Sequence, residues 1–204
     1  PAVSLFNFHY TYPPVAVAEN WSLNKAIGHN ESGFRGQLDE VYRNEAWDWM
    51  LAGGASFNHL DYSFVAGHEN GSFDYPDTQP GGGSSALRKQ LAVLKRFMER
   101  LDFVNMKPAN ELVSGLEKGA SIQLLANPGQ AYAAYLHHSG KKSKELTHGK
   151  WQDRFRIEAP AGRYRVEWVD VITGRVIEAQ TMATLELTTP VYETEMVLRI
   201  MVQR

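Results

Sequence analysis

The chain has 204 residues, with 21 basic against 23 acidic side chains; a net charge of −2 gives no field for nucleic acid or an anionic membrane. Apolar residues make up 43% and charged residues 22%, the make-up of a folded domain, and no run reaches the roughly 18 apolar residues of a membrane span. The absence of cysteine excludes disulfide scaffolds, thiol catalysis and cysteine-ligated zinc.

In chain order, the opening PAVSLFNFHY has no methionine and enters a strand pattern at once, which reads as a cut inside a larger protein. Residues 3–10 read as a buried strand, 13–24 as a short helix opened by prolines, and 25–30 as a second strand. Residues 37–54 are a strong helix: Leu38, Val41, Tyr42, Ala46, Trp49 and Met50 share a face, acids sit in the first turn, and Gly53 and Gly54 end it. Residues 55–64 read as a third strand, followed by a Gly-, Asp- and Pro-rich loop over 65–84. A helix over 85–101 then carries Leu87, Leu91, Leu94, Met98 and Leu101 on one stripe. Strand–helix alternation of this kind implies parallel strands with right-handed crossovers. A closed β/α barrel takes eight such units and about 250 residues. Residues 1–103 are therefore expected to be about the last three βα units of a (β/α)8 barrel, with the earlier units absent.

Residues 103–115 read as a linker. From 111 to 204 the pattern is all-β, with strands expected over 120–127, 130–138, 153–159, 162–171, 176–181, 183–189 and 195–202, separated by turn signals such as NPG, APAG and TG. An antiparallel β-sandwich is the expected form, with Trp168 in its core. The fold class is thus α/β plus β.

Barrel chemistry sits at the carboxyl ends of the strands. Those ends offer His9, Tyr10 and Tyr12; then His29, Asn30 and Glu31; then Asn58, His59, Asp61 and Tyr62. Carboxylates, imidazoles, amides and phenols form the set a sugar-cleaving site needs, because glycoside hydrolysis uses two carboxyl groups flanking the scissile bond. Glu31 is the candidate catalytic carboxylate; the competing role is a helix cap or surface acid near the SGFRG turn. His9, Tyr10, Asn30, Asn58 and Asp61 are candidate sugar ligands, with Trp21 as a stacking surface. Asp61 could instead form a turn or pair with an arginine. Glu69 lies on the long loop and could close over a substrate or bind nothing. Trp47 and Trp49 point to different helix faces, with Trp49 in the core. His137 and His138 alternate across a strand and are expected at the surface, without a shared metal. Lys141, Lys142 and Lys144 form a solvated loop. The SGKKS run lacks the upstream glycine of a phosphate loop, and the PGGGSS run (80–85) reads as a hinge or loop before a helix.

The run NESGFRGQLDEVYRNEAWDWMLAGGASFNHLDYSF, then LKRFMERLDFVNMKP, then LLANPGQAYAAYL, GRYRVEWVDVITGR and a closing VLRI resemble the C-terminal part of secreted bacterial barrel glycosidases. These are similar to clan A glycoside hydrolases and carry a C-terminal β-sandwich of the collagen-binding type. The resemblance covers nearly the whole chain. It implies that Glu31 closes the seventh barrel strand as nucleophile and that the acid/base ends a fourth strand outside this chain. It also implies a carbohydrate substrate, no cofactor or metal, and an extracellular or periplasmic location. Asn30-Glu31 also matches the dipeptide of the acid/base strand in that clan; the few strand runs left before the all-β half favour the seventh position. Two other readings remain open. In one, the sandwich is a non-catalytic carbohydrate- or protein-binding module on a barrel scaffold, which requires Tyr132, Tyr135, Tyr164 and Tyr192 to form a flat exposed platform; strand alternation instead tends to bury many of them, which would leave a packing domain that buttresses the barrel. In the other, the barrel part docks on the missing N-terminal half or self-associates, since open strand edges invite pairing.

Overall fold

The computed structural model describes residues 2–76, 78–79, 81–139 and 146–203. Lys141, Lys142 and Lys144, most of the SGKKS run, and Pro80 at the head of the glycine run lie outside the described residues. The chain divides into two compact units, Pro1–Ala92 and Val93–Arg204. It mixes helices with one parallel and two antiparallel sheets.

The first unit is built on three parallel strands in the order β1 (Leu5–His9), β2 (Ala26–Glu31), β3 (Ser56–Phe57). The helix α1 (Val15–Asn20) follows β1, and α2 (Asp39–Leu51) follows β2. One sheet face is covered: Ile27 packs with Ala16, Val17 and Trp49, and Phe8 and Phe57 close the cluster. The opposite face is open. Leu5, Asn7 and His9 point there and are exposed, so β1 is not the buried strand its composition suggests. Its apolar residues alternate sides, and α1 and α2 cover only one of them. Asn7, Gly28 and Ser56 stand in register across the open face. A Cβ on Gly28 would lie 2.5 Å from Asn7 Oδ1 and 2.7 Å from Ser56 Oγ, so glycine is what lets these side chains meet above β2.

Three expectations for this unit need correcting. The third strand shrinks from ten residues to Ser56–Phe57. Past Phe57 the Asn58 side chain bonds the Asn30 carbonyl of β2, while His59 and Asp61 are taken up by Gly82 and by Arg88 of the following helix. Leu38 is not on the core face of α2; it is the extended residue before the helix and is 63% exposed. Trp47 and Trp49 are both buried, because α2 is covered on all sides from Val41 to Trp49. The helix α3 (Ser85–Met98) begins just after the glycine run and buries Leu87, Leu94 and Met98, and the boundary between the units falls inside it.

The second unit is antiparallel. A six-stranded sheet runs in the order β10 (Val176–Met182), β9 (Tyr164–Val169), β12 (Glu195–Val202), β7 (Ala131–His138), β6 (Ala120–Asn127), β4 (Lys107–Pro108). A three-stranded sheet runs β11 (Leu185–Thr188), β8 (Arg154–Ile157), β5 (Val113–Ser114). The expected linker over 103–115 is thus part of both sheets: Lys107–Pro108 pairs with β6 and Val113–Ser114 with β8. The two sheets share one core. Tyr132, Leu136, Trp168 and Leu198 of the larger meet Phe155, Ile157, Leu185 and Leu187 of the smaller.

Tyr132, Tyr135, Tyr164 and Tyr192 are buried, as strand alternation suggests, and form no platform; His137 and His138, expected at the surface, are buried too. Each phenol finds a partner inside. Tyr132 accepts from the Gly129 N–H in the NPG turn, Tyr164 donates to Pro160 O at 2.8 Å, and Tyr135 and Tyr192 donate to Glu195 and Asp153. His137 and His138 do point to opposite sides, but β7 is central and both of its faces are covered. His138 Nε2 lies 3.1 Å from Asp153 Oδ2, and its ring stacks on Trp151 at 4.0 Å.

Candidate active site

The site is set by a register break. Phe8 pairs with His29 but His9 pairs with Glu31, so Asn30 is an extra residue in β2. Such a bulge re-aims the side chain that follows it. Ile27 and His29 belong to the helix-covered side, where His29 lies against Trp49 and Phe57. After the bulge, Glu31 turns to the side of His9 instead, where His9 Nδ1 lies 3.2 Å from Glu31 Oε2.

The other carboxylate oxygen is held by Tyr10, whose hydroxyl donates to Glu31 Oε1. Tyr10 has a left-handed backbone, φ 53°, and its N–H donates to Glu31 O at 2.9 Å. That conformation is uncommon for a non-glycine residue, and here it folds the phenol back over the end of β2. The bond to Glu31 pushes the Tyr10 phenol up to about 12, with burial and the carboxylate charge adding to it. The phenol therefore stays protonated through the neutral range and acts as a donor to the carboxylate. Phe34 meets the Tyr10 ring edge-on at 4.9 Å and is 63% exposed.

Behind this edge lies a buried polar layer. His29 is fully buried, and desolvation holds it down at about 4, with His9 a lesser contributor, so it is neutral. Its Nε2 lies 3.3 Å from the Thr11 N and 3.4 Å from Glu45 Oε1. Arg35 Nη1 donates to Glu45 Oε2 at 3.1 Å, and its guanidinium lies 4.2 Å from the centre of the Tyr12 ring. Tyr12 in turn donates to Asn44 Oδ1 at 2.7 Å. His59 is also lowered by burial; Ser32 Oγ donates to its Nδ1 at 2.6 Å and its Nε2–H donates to Gly82 O.

The candidates do not all gather. His9, Tyr10 and Glu31 form one cluster. Asn30 is exposed, and its carbonyl accepts from Asn58 Nδ2 at 3.0 Å, which ties the ends of β2 and β3 together. Trp21 is 40% exposed on the turn after α1. Asp61 is taken up by structure: Arg88 Nη1 donates to its Oδ2 at 2.7 Å and the Ser63 N–H to its Oδ1 at 2.9 Å, which pins the loop to α3. Glu69 caps its own loop by accepting from the Gly67 N–H at 2.9 Å. Tyr12 was among the strand-end groups named from the sequence; Phe34, Asn44, Arg35 and Glu45 were not legible as site residues. An exposed phenylalanine between Gly33 and Gly36 was the one available signal for Phe34, and charged residues inside the buried stripe of α2 were the signal for Glu45. Among the described residues, no group of three or more His, Cys, Asp or Glu side chains could hold a metal ion, and no helix is long and apolar enough to cross a membrane.

No protein-family model matches the sequence, and no curated protein does. Solved structures do match. The chain is similar to a glycoside hydrolase family 5 structure from Bacteroides vulgatus ATCC 8482, with a TM-score of 0.57 and 12% identity over 92% of this chain and 44% of that one. It is also similar to a structure described as a glycoside hydrolase, with a TM-score of 0.51 and 13% identity over 88% and 43%. The chain shares its fold with glycoside hydrolases. It spans less than half the length of either of these structures.

Proposed function

We propose that the chain is the C-terminal part of a (β/α)8-barrel glycoside hydrolase, with its last βα units in the first unit and a β-sandwich in the second, and that Glu31 is the nucleophile. The observation that carries this reading is the bulge at Asn30. It takes a carboxylate at the carboxyl end of a parallel strand, turns it to the open side of the sheet, and sets a phenol and an imidazole on its two oxygens. Parallel sheets are normally covered on both faces. The exposed Leu5 and Asn7 face the side that a closing barrel would bury.

The roles follow from the geometry. The Glu31 carboxylate attacks the anomeric carbon. Tyr10, a donor locked in its protonated form, holds one oxygen. His9 fixes the other. The exposed Phe34 and Tyr10 rings offer apolar surface to the C–H face of a sugar. A carboxylic acid on a strand outside this chain protonates the leaving oxygen, at about 5–5.5 Å from Glu31 in a retaining mechanism. In the polypeptide that supplies those strands, Glu31→Gln is expected to abolish turnover of aryl glycosides while leaving the melting temperature within a few degrees. Turnover near that of the parent would remove Glu31 from the role.

A further inference from the structure

We propose that the second unit carries a carbohydrate-binding cleft of its own, between the edge strands β10 and β11, which takes a neutral oligosaccharide. None of the residues that line it belongs to the Glu31 cluster.

The starting observation is a mismatch of side-chain chemistry with position. Residues directly opposite one another on adjacent strands point to the same face. Glu178, Gln180 and Met182 of β10 stand opposite Trp168, Val166 and Tyr164 of β9, all three of which are core residues. Glu178 and Gln180 thus occupy the core side of the sheet, where apolar side chains are expected, and both are exposed. The reason is width. The larger sheet has six strands and the smaller three, and the inner side of β10 is left uncovered. A strand in that position could have ended the core with apolar residues. It instead presents a carboxylate and a carboxamide.

The uncovered side lines a cleft of about 360 Å³, whose other wall comes from Glu186 and Thr188 of β11 with Thr189, Pro190 and Gln152. That volume falls in the range of small-ligand sites, roughly 300–1,000 Å³. Gln152 is held at the rim, its Nε2 donating to Thr189 O at 3.2 Å. The lining defines the ligand. Two carboxylates on different strands accept hydrogen bonds from hydroxyl groups. Two carboxamides and two threonine hydroxyls both donate and accept. Met182 and Pro190 supply short apolar patches for ring C–H groups. The lining itself contains no lysine, arginine or histidine; Arg156 and Arg154 of β8 stand opposite Glu186 and Thr188 on the same face and balance the carboxylate charge there, so the surroundings favour neither an anion nor a cation. A neutral, hydroxyl-rich chain satisfies every group in the set.

The test is two-dimensional amide NMR of the full chain with cello-, xylo-, manno- and laminari-tetraose, each at up to about 10 mM, the weak-binding regime. Trigalacturonate and spermidine serve as anionic and cationic probes. At least one neutral tetraose is expected to shift amides within 178–190. Gln180→Ala with Glu186→Ala is expected to weaken that binding about tenfold or more, and Glu31→Gln to leave it unchanged. Both altered positions are exposed, so an unchanged melting temperature shows the loss is local. No shift in 178–190 with any tetraose, an affinity unmoved by the double substitution, or tighter binding of trigalacturonate or spermidine than of every tetraose would overturn the proposal. Since Glu31→Gln separates the two sites, none of these results bears on the Glu31 reading.

Discussion

The two units bury polar side chains for different ends. In the second unit the core is a continuous mass of aromatic and aliphatic side chains, and its buried carboxylates are closed by side-chain partners: Asp153 receives Tyr192 and lies against His138, and Glu195 receives Tyr135. In the first unit the apolar cluster on the helix-covered side is small, and an ionisable layer runs from Arg35 through Glu45 to His29, directly behind the strand ends. A closed pair specifies packing. A polar layer that stops at an open edge holds a reactive group in place. The comparison teaches where to expect stability and where to expect chemistry within one chain.

The largest effect should come from the apolar core. Trp168 is fully buried between the two sheets. Trp168→Ala is expected to cost about 3–5 kcal/mol in urea unfolding. Trp21→Ala, at an exposed turn of the first unit, should stay within about 0.5 kcal/mol. Similar costs for both would erase the contrast.

The buried ion pair comes next. Arg35 and Glu45 side chains are 5% and 2% exposed. Removing the arginine leaves a buried carboxylate without its cation, so Arg35→Ala should destabilise by about 3–5 kcal/mol. Arg35→Ala together with Glu45→Leu should recover much of that loss, because no charge then remains to be solvated. A double variant no better than the single one would show that Glu45 has another essential partner.

A smaller effect is the pH dependence set by His29. Its ring takes a proton near 6.5 when unfolded but only at about 4 when folded. Between those values the unfolded state binds more protons, so stability falls as pH drops from 6.5 towards 4, by on the order of 3 kcal/mol in all. His29→Gln should flatten that slope in a series of urea melts. A slope unchanged by the substitution would mean that other groups carry it.

Much of the architecture was readable from periodicity. Helix α3 follows from its apolar stripe, since burial on one face leaves a period; α2 was legible from its length, its acidic first turn and its terminal glycines, and β7 and β12, covered on both faces, from continuous apolar runs bounded by turn signals. The short strands β4 and β5 were not readable. Two-residue ladders such as Lys107–Pro108 have no period, and their pairing is fixed by partners far along the chain. The burial of the four tyrosines of the second unit was foreshadowed by strand alternation, but their inner partners were not, because a phenol can be apolar core and polar partner at once and composition does not say which group it meets. At the candidate site, Glu31, His9 and Tyr10 could be named because strand ends in alternating β and α patterns are predictable. The bulge at Asn30 could not, because an extra residue in a strand shows only when the neighbouring strand is in place. Asp61 shows the reverse limit. A strand-end carboxylate looked like a ligand, and its Arg88 partner lies 27 residues further on, on a helix.

The central claim is that Glu31 is the group that attacks the sugar. Incubating the polypeptide that carries both this chain and the complementary acid with 2-deoxy-2-fluoro glycosides, then mapping the adduct by peptide mass spectrometry, tests it most directly. The account predicts one covalent glycosyl ester, on the peptide containing Glu31 and lost in Glu31→Gln. An adduct on a different carboxylate, with Glu31 unmodified, would contradict it.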